Sequence, residues 1–169
     1  MLTSFVRCPL SKSYEVISKT NLLYRVVVSP NGDYSPPSPL NVKRGQNAFQ
    51  VDLLIGKRKG EFLLPLVAME VKYKRISTHS VITYSGKAVR HKEIYPYLRY
   101  GMIIGGVDSI PNRFFVHNIG MDFALAVKEV SDENLLEIVK KQIKIAEKLV
   151  KVVGKEKRIR GFESRIRLK

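Results

Sequence analysis

Residues 49–75 read FQVDLLIGKRKGEFLLPLVAMEVKYKR, and this stretch admits few folds. FQVDLLI (49–55) and LLPLVAMEVKYKR (63–75) are rich in strand formers, yet neither alternates cleanly between apolar and polar residues. A strand that is apolar on both sides has to be covered on both sides. GKRKGE (56–61) between them offers Gly56 and Gly60 for the positive-φ positions of a turn. The pair is therefore predicted to be a hairpin in the middle of a sheet with layers above and below it. Pro65 has no N–H to give to a ladder, so the paired part of the return strand is expected after it, with the connection running from Gly56 to Pro65. That register sets Asp52 roughly opposite Glu70. Residues two apart share a face, so Glu70 and Lys72 point the same way.

The rest of the chain supplies the covering layers. LSKSYEVISKTNLLY (10–24) opens with serines able to cap a short helix, which would carry Leu10, Tyr14, Ile17 and Leu22 on one side. YRVVVSP is β-branched and expected to be extended as far as Pro30. NGDYSPPSPLN (31–41) concentrates prolines and turn formers and reads as a loop, of a length often tied to function. In THSVITYSGKAVRHKEIYPYLR (78–99) a helix is expected in the second half, Lys87 to Leu98, interrupted by Gly86 and Pro96. YGMIIGGV (100–107) reads as a buried strand, and RFFVHNI and DFALAVKEV as a further strand or pair. SDENLLEIVKKQIKIAEKLVKVVG gives the clearest signal. Ser131 suits an N-cap, Asp132 and Glu133 suit the positive helix end, and Gly154 marks the stop. Its apolar stripe is Leu136, Val139, Ile143, Ala146, Val150 and Val153. The order predicts one α/β (α+β) domain over 1–154, a central mixed sheet flanked by helices with a long C-terminal helix, followed by a basic tail, 155–169.

Charge narrows the partner. Thirty Lys and Arg against fifteen Asp and Glu leave a net +15. Such an excess repels itself in a folded chain and usually meets a polyanion. A surface built for ion-pair networks would need matching acids, and here the acids are half as many. Nucleic acid is the expected partner, ahead of an anionic membrane, for which no basic amphipathic helix with exposed aromatic residues stands out. One cysteine, Cys8, excludes an internal disulfide and a Cys-based zinc site. No apolar run is long enough to span a bilayer, and MLTSFVRCPLSKS lacks the features of a signal peptide, so a cytoplasmic protein is expected.

The acids on the hairpin are the chemical signal. A carboxylate costs several kcal/mol to bury without hydrogen bonds or countercharge, and two that face each other also repel. A hard divalent cation relieves both penalties. Lys72 beside it would orient an attacking water, help deprotonate it, or stabilise charge building on phosphorus. A Glu-Val-Lys triplet alone is ordinary in solvent-facing strands, and Asp52 read alone would suit a strand end; their combination in so basic a chain is rarer. Gln50, on the face of Asp52, would touch a phosphate or a metal-bound water. Lys87, Arg90, His91 and Lys92 form a basic helix face interleaved with Tyr84, Tyr95, Tyr97 and Tyr100, and Arg158 and Arg160 add charge in the tail. Phosphate contacts are expected from these cations, and core or rim positions from the tyrosines. His79, His91 and His117 are too dispersed for a metal cluster.

At Asp52, Glu70 and Lys72 the chain resembles the PD-(D/E)xK nucleases, the restriction-endonuclease-like superfamily. That motif sets an Asp on one strand and (Asp/Glu)-x-Lys on the next; Val51 stands where the family's name has proline. The resemblance covers roughly residues 10–130 as helix, strand, strand, helix, strand. It implies a restriction-endonuclease-like fold, Mg²⁺ or Mn²⁺ as the only cofactor, and DNA as substrate. It further implies Asp52, Glu70, the Val71 carbonyl and Glu15, as an acid on the first helix, as metal ligands, and Asp52, Glu70, Lys72 and Glu15 as catalytic residues. The expected activity is metal-dependent DNA endonuclease, with restriction-type cleavage favoured over a Holliday-junction resolvase or repair nuclease because the 31–48 loop and the tail add surface. A homodimer is expected, since cutting both strands needs two sites. The competing class is a non-catalytic, basic nucleic-acid-binding protein in which Asp52 and Glu70 are structural.

Overall fold

The hairpin forms the centre of the sheet. A computed structural model describes residues 13–40, 42–128 and 133–158. Strands β1 (Glu15–Leu23), β2 (Val27–Val28), β3 (Tyr34–Ser35), β4 (Ala48–Lys59) and β5 (Phe62–Tyr73) come first. Helix α1 (Thr78–Ile94), β6 (Arg99–Gly105), helix α2 (Asn112–His117), β7 (Phe123–Val127) and helix α3 (Glu133–Val153) follow. The main sheet runs β1-β4-β5-β6-β7, with β1, β4 and β5 antiparallel and β5, β6 and β7 parallel. The parallel step from β5 to β6 needs a long crossover, and α1 provides it.

Because β4 and β5 are apolar on both sides, each face of the sheet carries a core. On one face Leu54, Ala68, Tyr100 and Met102 pack with Val81 and Ala88 of α1 and Phe114 of α2. On the other, Leu53, Ile55, Val67 and Met69 pack with Leu135, Val139, Ile143 and Ala146 of α3. Leu135 is buried in preference to the predicted Leu136, and Val153, beyond the sheet, is 49% exposed. The cap read at Ser131 and Asp132, like Leu10 and Arg160, lies outside the described residues. Among the described residues no helix is long and apolar enough to cross a membrane.

Four expectations are corrected. Residues 15–23 form a strand rather than a helix: Val16, Ile17 and Thr20 are β-branched, and the segment pairs with β4 from Glu15↔Gly56 to Leu23↔Ala48. The hairpin turn is tighter than predicted. Strand β4 continues to Lys59 and β5 starts at Phe62, leaving Gly60, at φ +59, and Glu61 to turn. Pro65 is tolerated inside the ladder because it pairs with Gly56 at a bulge, where the ladder is already irregular. Helix α1 begins at Thr78, where the Ser77 hydroxyl accepts the Ser80 N–H at 3.0 Å, and it runs through Gly86 to end before Tyr95-Pro96. Finally, RFFVHNI contains α2 and not a strand. The Ser85 hydroxyl accepts the N–H groups of Ile119 and Gly120, each at 2.7 Å, which ties the segment after α2 to α1 and away from the sheet.

Candidate active site

Strands β4 and β5 pair from the turn to Leu53↔Met69 and then part. Beyond that point β4 stays with β1, through Thr20↔Val51 to Leu23↔Ala48, while β5 stays with β6, through Glu70↔Met102 to Tyr73↔Gly105. The result is a fork. One register step past Leu53↔Met69 brings Asp52 across from Glu70, as the sequence register anticipates. Backbone groups on the facing edges of the fork need partners other than a ladder. The Val71 N–H finds one in Asp52 Oδ2 at 2.8 Å. In a strand the N–H and C=O of one residue point to the same side, so the Val71 carbonyl also faces the fork.

Glu70 is 2% exposed. The Tyr100 hydroxyl donates to its Oε1 at 2.5 Å, and Lys87 Nζ lies 3.2 Å from the same oxygen. Burial raises the Glu70 pKa and the charge of Asp52 adds to the rise, against the pull of Tyr100 and Lys87. Burial also lifts the Tyr100 phenol well above its ordinary value, with Glu70 reinforcing the effect, so Tyr100 is a fixed donor. Lys72 Nζ sits 4.9 Å from the centre of the Tyr84 ring. Its pKa is raised, first by Tyr84 and then by Asp52 and Glu70, against its own burial.

Helix α1 provides the far wall. Tyr84, Lys87 and His91 follow one another at helical spacing and so share a face. Lys87 Nζ also donates to the Gln50 carbonyl at 3.2 Å and lies 5.1 Å from the Tyr84 ring centre. Lys87 thus belongs to the carboxylate site rather than to an outer basic face. Tyr84 and Tyr100 join it as site residues that sequence reasoning left in the core or rim. The available signal was the Tyr84-x-x-Lys87 spacing on a helix directly after the motif.

Other expected residues lie elsewhere. His91 is fully buried, its Nδ1 donating to the Leu23 carbonyl at 2.9 Å while its ring stacks on Tyr100. Burial drops its pKa to about 4, with the charge of Lys87 adding to the fall, so it is a neutral core residue and not a phosphate contact. Lys92 is engaged by Asp122 at 2.8 Å and the Gly120 carbonyl at 2.6 Å. Asp122 also holds Arg99 and the Tyr100 N–H, so Lys92 is structural. Arg90 is exposed and pairs with Glu93 at 3.1 Å. Gln50 lies beside the fork with its side chain on the Lys19 carbonyl at 3.3 Å. Glu15 is not a helix acid. It stands at the start of β1 opposite Gly56, and Arg58 grips both its oxygens at 3.0 and 2.6 Å. That guanidinium holds the Glu15 carboxyl below its ordinary value. Arg158 is exposed, beyond the end of α3.

The donor set fits a hard divalent cation. Hydrogen bonds from described residues fall on Glu70 Oε1 and Asp52 Oδ2, leaving Oε2, Oδ1 and the Val71 carbonyl available at two mutually repelling acids. Among the described residues no three His, Cys, Asp or Glu gather, so water or substrate oxygens would complete the shell. Mg²⁺ favours that division, keeping waters while binding few carboxylates. No protein-family model and no curated protein matches this chain.

Proposed function

We propose that this chain is a metal-dependent DNA endonuclease of the PD-(D/E)xK, restriction-endonuclease-like type. The observation that supports the reading is the fork, where Asp52 accepts the Val71 N–H beside buried Glu70 and where both acids help to raise the pKa of Lys72. The run β4, β5, α1, β6 suits the strand, strand, helix, strand part of that fold. Ahead of it stands β1, where the resemblance expects a helix and its acid.

Asp52, Glu70 and the Val71 carbonyl would hold Mg²⁺ or Mn²⁺. Bound there, such an ion supplies a more acidic water and a counterion for the phosphate. The Lys72 ammonium would orient an attacking water and stabilise the charge that builds on phosphorus. Tyr84 limits where the ammonium can sit, and Tyr100 keeps Glu70 facing the fork. The net +15 draws the polyanion in, with the DNA phosphates as its partners. Restriction-type cleavage by a homodimer remains the favoured form, with resolvase and repair nuclease as its alternatives.

The test is Mg²⁺-dependent cleavage of plasmid, single-stranded and four-way-junction DNA, with Asp52→Ala and Glu70→Ala alongside. Activity that needs metal and both acids, with DNA binding kept in each variant, supports the proposal. Binding without cleavage under Mg²⁺ or Mn²⁺ would leave a nucleic-acid-binding protein with structural acids.

A further inference from the structure

Lys87 stands on a helix, outside the strand-borne motif, yet it makes the ion pair with Glu70 at 3.2 Å. Its ammonium also donates to the Gln50 carbonyl at 3.2 Å and faces the rings of Tyr84 at 5.1 Å and Phe49 at 5.7 Å. Its side chain is 20% exposed, so the site is sheltered but open to solvent. The charges in and around the fork cancel: Asp52 and Glu70 against Lys72 and Lys87. Lys87 therefore supplies, on Glu70, the neutralisation that a divalent cation at the same carboxylate would supply. Adding that cation while Lys87 stays would leave two net positive charges in a partly dry site. A phosphodiester and the further negative charge that develops as it is attacked would restore balance.

We infer that Lys87 and the metal exchange on Glu70. In the metal-free protein Lys87 holds the carboxylate; cation binding releases it, and its flexible four-carbon stem carries the ammonium to the phosphate of the bound strand. The inference rests on the reading of the fork as a metal site. It makes Lys87 the element that couples metal affinity to DNA affinity, a coupling that works equally in both directions.

The experiment uses the full chain. Mn²⁺ binding without DNA is measured by titration calorimetry for the wild type, Lys87→Met, Lys87→Arg and Asp52→Asn. DNA affinity is measured against salt, once in chelator and once in Ca²⁺, a hard cation for the same oxygens. Lys87→Met should bind Mn²⁺ about fivefold tighter or more, because its competitor is gone, and Lys87→Arg should stay near the wild type. In Ca²⁺ the log–log salt slope of Lys87→Met should be shallower than the wild type's by about 0.9, the value of one phosphate contact. In chelator the two slopes should coincide. Unchanged or weaker Mn²⁺ binding in Lys87→Met overturns the exchange, as does Lys87→Arg binding Mn²⁺ as tightly as Lys87→Met. Equal slope loss in chelator and Ca²⁺ also overturns it, making Lys87 a permanent phosphate contact. Wild type and Asp52→Asn binding Mn²⁺ alike would instead remove the metal site itself.

Discussion

Tyr100→Phe is the most informative single change in the fork. It deletes one hydroxyl, the donor that meets Glu70 Oε1 at 2.5 Å, and keeps the ring that stacks on His91. No cavity opens, so the loss is that of the hydrogen bond. A hydrogen bond to an ionised partner contributes roughly 1.5–3 kcal/mol, and Glu70 would remain buried with Lys87 as its partner. A destabilisation of about 2 kcal/mol at pH 8 is expected, or roughly 4–8 °C in Tm for a domain of this size. The pH dependence gives the sharper test. The folded pKa of Glu70 is raised by burial, and the Tyr100 bond opposes that rise, so the substitution pushes it higher still. An acid with a raised folded pKa favours folding below its unfolded pKa, and that contribution is lost as pH climbs through the folded value. The cost of Tyr100→Phe should therefore be full at pH 8 and shrink as pH falls through the range where Glu70 protonates. Urea denaturation at a series of pH values measures it, repeated in a Glu70→Gln background to isolate the coupling. A cost below about 0.5 kcal/mol that is flat with pH would refute the assigned bond.

Other outcomes follow from the same geometry. Lys72→Arg should lose most turnover while keeping metal and DNA binding, because a planar fork cannot reproduce a compact ammonium; near-normal cleavage by Lys72→Ala would remove the motif from the active site. Glu15→Ala should leave cleavage at the wild-type rate, since among the described residues its carboxylate bonds Arg58, and a lost cleavage activity would return Glu15 to the site. DNA affinity should fall steeply between low and physiological salt, with a log–log slope near −0.9 per phosphate contact; a flat response would assign the +15 charge to some other partner.

At the site, what β4 and β5 carry was legible in the sequence, and what α1 carries largely was not. The hairpin and the Asp52–Glu70 register follow from two apolar runs with a turn between them, and that pattern survives even though the turn is four residues shorter at its start than read, with β4 ending at Lys59 rather than before Gly56. Helix α1 hid itself. Its buried positions are Val81, Ser85, Ala88 and His91, and two of the four are polar. Ser85 is satisfied by Ile119 and Gly120, and His91 by Leu23, partners far away in sequence. Without those partners the stripe does not read as apolar, so neither the helix start nor the inward direction of Tyr84 and Lys87 could be inferred. Gly86 misled in the same place, for an interior glycine costs only about 1 kcal/mol and does not break a helix. Residues 15–23 misled differently: serine caps outweighed a β-branched run whose partner strand begins about thirty residues later.

The fork makes the separation of the backbone segments that carry the two acids a property of the sheet. Strand β4 on either side of Asp52 is braced by β1, Glu70 and Lys72 by β6, and the two arms share a ladder only as far as Leu53 and Met69, with the Asp52–Val71 bond and Lys87 bridging them beyond it. The bulge of that ladder, taken as the pivot of the two arms, sits at Ile55 and Gly56, a few residues from the opening. Added bulk at Gly56 would meet the Leu64 carbonyl at 2.5 Å and force the backbone to move there. Small changes in twist at the pivot would be magnified at the tips of the arms, as in a pair of pliers. In the proposed metal site, the spacing of the acids would then be set in part from the hairpin.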